Sequence, residues 1–265
     1  MTEQINGFQV HIADDEDKLF ADLTSAITAL ANQCITQHGI FSIALAGGNT
    51  PRGLYSNLAR LPEGVFPWNK TYLFLGDERC VAHDNGDSNY KMISESLLSR
   101  ISIPSTNVFP TINQQKDPVE SARRYEQAIR RFFKLEDGDH QGVGSGGSGW
   151  PRFSLVLLGL GGDGHTASLF PGSPALSEDK RFFVANQFED AATNRTIERL
   201  TLTKNVIASA YKVFFLVAGE NKATVLEEIF TRPELSLPAQ LVANLCKREA
   251  VEWFLDKPAA ALIKK

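Results

Sequence analysis

Residues 155–174, LVLLGLGGDGHTASLFPGSP, carry an uninterrupted apolar segment directly into a glycine-rich polar turn, and this junction constrains the fold more than any other part of the chain. Five of the six residues 155–160 are apolar, without the alternation of a half-exposed strand, so the segment reads as a strand covered on both faces. Gly159, Gly161, Gly162 and Gly164 permit a tight turn and close approach of a ligand to the backbone, and the turn carries Asp163 and His165. An α/β protein offers a base to a small ligand at such a strand end. Read alone, the turn has a plainer meaning: His165 as a packing or surface residue, and Asp163 as the cap of a helix beginning near Thr166.

Two further strand ends supply complementary groups. Residues 41–46 form a second apolar strand, followed by Gly47, Gly48, Asn49, Thr50 and Pro51, with Pro51 suited to the first turn of a helix reaching about residue 61. Free N–H groups of that helix start and the Thr50 hydroxyl make an anion site, although a glycine pair before proline also suits an ordinary tight turn. A third strand, residues 72–75, ends in Gly76, Asp77, Glu78 and Arg79. Because open α/β sheets bind ligands beyond the carboxyl ends of their strands, three such ends are expected to converge on one crevice.

Helical periodicity is expected over residues 15–37, 89–98, 117–133 and about 221–230, and further strands at 182–185 and 213–218. Alternation of this kind predicts an α/β fold, a mostly parallel, Rossmann-like open sheet with helices on both faces, with a small subsidiary lobe. With 43% hydrophobic residues, the 265-residue chain can bury its core as a single domain spanning residues 1–265. Residues 136–150 shift to Gly, Ser, Asp and His and read as a flexible surface loop, with His140 in solvent. No internal repeat is present.

Several classes are excluded. A net charge of −4 without a basic block argues against nucleic acid, so affinity for an anion must come from local Arg and Lys. No window approaches a membrane span, and the N-terminus has no secretory pattern. Cys34, Cys80 and Cys246 are odd in number and irregularly spaced, which suits the reducing cytoplasm better than a disulfide framework. His83, Asp84 and Asp87 follow no ligand spacing, so neither a metal nor another cofactor is expected. Oligomeric state is left open by the sequence.

Four segments in order, ALAGGNTPRGLY (44–55), FLGDERCVAHDNGDSNY (74–90), LLGLGGDGHTASLFPGSP (157–174) and ERLTLT (198–203), resemble the motifs of the glucosamine-6-phosphate isomerase/6-phosphogluconolactonase family. The wording around Asp87-Ser88-Asn89-Tyr90 and Gly164-His165-Thr166-Ala167-Ser168 is closer to its lactonases. Its deaminases usually carry tyrosine where Arg79 stands and follow the histidine with a segment ending in asparagine-glutamate-proline. The resemblance implies hydrolysis of 6-phospho-D-glucono-1,5-lactone, a small phosphosugar substrate, with His165 as general base and Asp163 beside it. It further implies that Gly47, Gly48, Asn49, Thr50, Asp77, Arg79, Arg199 and Lys222 bind substrate. Backbone amides of Gly161 to Gly164 are expected to meet the oxyanion. The family commonly has serine where Asn49 stands; an amide still donates a hydrogen bond there. A glucosamine-6-phosphate deaminase and a non-catalytic sugar-phosphate sensor are the alternatives.

Overall fold

A computed structural model describes residues 1–111, 117–135, 149–190 and 195–263. The chain opens with the strands β1 (Thr2–Ile5) and β2 (Phe8–Ala13), then α1 (Glu16–His38), β3 (Phe41–Leu45), α2 (Asn49–Ala59), β4 (Thr71–Leu75), β5 (Asp77–Arg79) and α3 (Asn89–Ser96). It continues through β6 (Val108–Phe109), α4 (Pro118–Phe133), β7 (Leu155–Leu158), β8 (Phe183–Asp190) and β9 (Arg195–Leu202). The remaining elements are α5 (Lys204–Ala208), β10 (Lys212–Val217), α6 (Ala223–Thr231), α7 (Pro238–Leu245) and β11 (Val251–Asp256).

Local chemistry sets the helix limits. The Asp15 carboxylate accepts from the Lys18 N–H at 2.8 Å and starts α1, while Gly39, at φ 82°, ends it. Asp117 caps α4 in the same way, with Pro118 in the first turn. Both starts agree with the sequence reading.

Eight strands form one sheet in the order β1-β2-β11-β10-β7-β3-β4-β6, parallel throughout except for the β1–β2 pair. Its faces are covered separately. Val156 and Leu158 of β7 pack among buried residues of α4, α5, α6 and α7, whereas Leu155 and Leu157 pack among those of α1, α2 and α3. A strand clothed on both sides needs no polar alternation, which is why β7 reads as a continuous apolar run. From β3 the chain proceeds to β4 on one side, and from β7 it proceeds toward β10 on the other. The connections therefore diverge between β3 and β7, leaving a crevice at their carboxyl ends.

The subsidiary lobe is a second, antiparallel sheet ordered β5-β9-β8. Here the structure departs from expectation: the strand anticipated at residues 182–185 runs from Phe183 to Asp190 and pairs with β9 in this small sheet, not in the parallel one. β8 pairs with the next strand along the chain, and an apolar start such as residues 182–185 suits a parallel or an antiparallel partner alike, so local composition does not distinguish the two. The helix expected near Thr166 is also absent; residues 166 to 169 form a turn closed by an isolated Thr166–Leu169 bridge. Residues 136–148, with His140, lie outside the described residues.

Candidate active site

A cavity of about 410 Å³ opens at the divergence of β3 and β7. Gly47, Gly48, Asn49 and Thr50 line it from the end of β3, Asp77 and Arg79 from β5, His165 from beyond β7, and Asn221 and Lys222 from beyond β10. Four strand ends thus meet. Gly48 adopts φ 100°, a left-handed conformation that turns the chain sharply into α2, and no side chain caps that helix. The uncapped first turn directs its N–H groups and the positive end of the helix dipole at the cavity.

The loop after β7 is built around its histidine. Asp163 Oδ1 lies 2.5 Å from His165 Nδ1 and also accepts the His165 N–H at 3.1 Å. Burial works to raise the Asp163 carboxyl, but the hydrogen bonds and charge of His165 outweigh it and hold the group below its ordinary value. A carboxylate at Nδ1 fixes the proton there, leaving Nε2 as the basic nitrogen. On its other side the imidazole packs at 4.3 Å on Phe170, which packs on Phe188 of β8. A Cβ on residue 161 would fall 2.1 Å from His165 Nδ1, so only glycine admits the ring.

Two of the amides expected to serve an oxyanion are spent within this turn. The Gly161 N–H donates to the His165 carbonyl at 2.8 Å and the Gly164 N–H to the Gly161 carbonyl at 3.1 Å. Without a following helix, the turn must close on its own hydrogen bonds. Asp163 pairs with the histidine instead of capping a helix.

Beneath the cavity, Glu78 is fully buried and gathers hydrogen bonds from the Arg79, Asn89 and Tyr90 N–H groups at 2.7, 2.7 and 2.8 Å and from the Ser88 hydroxyl at 3.1 Å. Burial raises this carboxyl above its ordinary value in spite of those donors. It seats the start of α3 under the site. Arg79 Nη1 donates to the Asp87 carbonyl, which aims the guanidinium along the cavity rim.

Arg199 is placed differently from the other expected residues. It stands opposite Arg79 in the β5–β9 register and is not among the residues lining the cavity. Burial, then the neighbouring Arg79 charge, lowers its pKa. Among the described residues no cluster of three or more His, Cys, Asp or Glu is suited to a metal ion, and His83 Nε2 lies 2.7 Å from the Thr111 carbonyl. Asn89, noted from sequence only within the Asp87-Ser88-Asn89-Tyr90 motif and given no role there, and Asn221, which the sequence did not single out, also line the cavity.

A family profile described as glucosamine-6-phosphate isomerases/6-phosphogluconolactonase matches residues 14–253. The chain belongs to this family. A 6-phosphogluconolactonase of Synechocystis sp. is 37% identical over 252 residues, covering 95% of this chain and 96% of its own. A probable 6-phosphogluconolactonase 1 of Arabidopsis thaliana is 35% identical, covering 97% and 94%. The solved 6-phosphogluconolactonase from Trypanosoma cruzi superposes with a TM-score of 0.82 at 31% identity, covering 97% of each chain. None of the described helices is long and apolar enough to cross a membrane.

Proposed function

We propose that the protein hydrolyses 6-phospho-D-glucono-1,5-lactone to 6-phospho-D-gluconate. One observation carries this reading: His165, paired with Asp163, lines the same cavity as an uncapped helix N-terminus and Arg79. Base and anion site are joined, as a phosphorylated ester requires.

Water is a poor nucleophile at neutral pH, and a positioned base is worth about 10² to 10⁴ in rate. His165 Nε2 takes a proton as the water oxygen attacks the lactone carbonyl carbon. The tetrahedral oxyanion then collapses, the bond from that carbon to the ring oxygen breaks, and the imidazolium returns its proton to the departing oxygen. Asp163, held ionised, stabilises the imidazolium between the two transfers. With the Gly161 and Gly164 amides committed, the oxyanion falls to a donor that lines the cavity and is not engaged by the phosphate, namely the Asn221 side-chain amide.

Phosphate is held by the Gly48-Asn49-Thr50 turn with Arg79 and Lys222, and Asp77 accepts from sugar hydroxyls. Arg199, across from Arg79 on β9, adds positive charge to that wall. No step requires a metal. The three irregularly spaced cysteines support a cytoplasmic setting.

The test is direct. Purified protein is given freshly generated phosphogluconolactone, with spontaneous hydrolysis subtracted, and in parallel glucosamine 6-phosphate. Accelerated lactone opening without ammonia is expected; ammonia release without lactone opening would make the protein a deaminase.

A further inference from the structure

Asp77 is 8% exposed, and each of its carboxylate oxygens receives a hydrogen bond from a different part of the chain. Asn89 Nδ2, at the start of α3, donates to Oδ1 at 3.3 Å and to the Asp77 carbonyl at 3.0 Å. The Ser168 hydroxyl, from the loop that also carries His165, donates to Oδ2 at 2.7 Å. An ionised carboxylate offers about four lone-pair sites, so acceptor capacity remains for a ligand in the cavity that Asp77 lines.

Ser168 is itself immobilised from both sides. It is 1% exposed, its N–H donates to Thr201 Oγ1 of β9 at 3.1 Å, and its carbonyl accepts from Asn186 Nδ2 of β8 at 2.8 Å. The preceding Ala167 adopts φ 48°, a left-handed backbone that alanine enters only under constraint, and this turns Ser168 inward. Thr201 is also the register partner of Asp77 across β5 and β9. Ser168 therefore ties the histidine loop by hydrogen bonds both to the small sheet, through Thr201 and Asn186, and to the Asp77 carboxylate.

We propose that Ser168 is a positioning residue, which with Asn89 fixes the Asp77 carboxylate as an acceptor for sugar hydroxyls and locks that carboxylate in register with the His165 loop. A free carboxylate in this crevice would rotate about its two side-chain torsions and would meet a hydroxyl only part of the time. Clamped on both oxygens, it presents one orientation, and ordering has been completed before the ligand arrives. The small sheet thereby acquires a role in ligand recognition beyond covering the core. The inference rests on the lactonase reading above, and the experiment separates the two.

Ser168→Ala, Asp77→Asn and the double variant are prepared in the full chain. Turnover of phosphogluconolactone is measured, with binding of 6-phosphogluconate and of inorganic phosphate by calorimetry. Ser168→Ala is expected to weaken 6-phosphogluconate about tenfold and raise KM similarly, with inorganic phosphate unchanged and kcat altered less than threefold. In the Asp77→Asn background the same change is expected to cost less than twofold, because the group it positions has gone. Equal tenfold losses in both backgrounds, equal weakening of inorganic phosphate, or no loss in Ser168→Ala would each overturn the proposal. Should Ser168→Ala fail to fold, Ser168→Cys keeps the volume while weakening the donor, and is read through the same cycle. A wild-type protein without lactonase activity would instead refute the proposed function.

Discussion

A histidine serves as a general base when one ring nitrogen is committed and the other is left to the substrate, and the Asp163 carboxylate at 2.5 Å from Nδ1 makes that commitment in His165. Two variants separate basicity from binding. His165→Ala is expected to lower kcat by about 10² or more while leaving 6-phosphogluconate affinity within twofold, because the phosphate contacts lie on α2 and Arg79. Asp163→Asn keeps the shape but offers an amide where the carboxylate stood, so the preferred tautomer and the charge that stabilises the imidazolium are both lost; kcat is expected to fall about 10²-fold. Steady-state kinetics alongside calorimetry checks both, and wild-type turnover in His165→Ala would remove it from the mechanism. How much of this was legible in the sequence follows from distance along the chain. Asp163 and His165 are two residues apart, so their pairing could be raised from sequence while the contact itself needed the fold, whereas Ser168 and Asp77 are 91 residues apart and meet only because β7 and β4 flank β3. The Gly161 and Gly164 amides were misread for a related reason: a glycine turn announces free donors, but whether it spends them internally depends on the helix that does or does not follow.

Among the elements, those with local signals were readable and those defined by pairing were not. Asp15 and Asp117 mark helix starts that any chain would honour, and β7 declares its double burial by lacking polar residues. The β5-β9-β8 sheet gives no such notice, since the consecutive strands β8 and β9 are joined by β5 from more than 100 residues earlier, and that order emerges only on folding. Register is similarly invisible at the other edge, where Glu252 of β11 bonds His11 of β2 at 2.9 Å and Lys212 of β10 at 2.7 Å. One carboxylate thus ties three adjacent strands. Burial acts to raise the Glu252 pKa, yet the His11 and Lys212 hydrogen bonds and charges prevail and lower it. A depressed folded-state pKa contributes stability that is fully present above the ordinary carboxyl value of 4.5 and is lost as pH falls through the folded value. Glu252→Gln is therefore expected to cost about 1–2 kcal/mol at pH 7, with the gap to wild type narrowing as pH drops below about 4.5. Urea unfolding at a series of pH values measures this, and a gap independent of pH would assign Glu252 a packing role only.

At the scale of the whole molecule, the two hydrophobic clusters share the same strands, because alternate residues of β3, β4, β7, β10 and β11 belong to opposite faces. Neither layer of helices can leave without stripping one side of strands that the other layer still needs, so unfolding is expected as one cooperative transition. The crevice draws on both halves of that sheet, with β3 and β4 supplying the helix N-terminus, Asp77 and Arg79, and β7 and β10 supplying His165 and Lys222. A ligand bound there contacts all of these segments in the native state and none of them in the unfolded chain. At 100 times its dissociation constant, 6-phosphogluconate should add about 2.7 kcal/mol, which for a chain of this size raises Tm by about 5–10 °C. His165→Ala is expected to retain that rise, since its loss falls on turnover, while Arg79→Ala should lose most of it. Scanning calorimetry with and without ligand makes the comparison: a rise that survives in Arg79→Ala would move the phosphate away from β5, and a rise confined to one of two separate transitions would show that the halves of the sheet melt apart and that the crevice is a hinge instead of a weld.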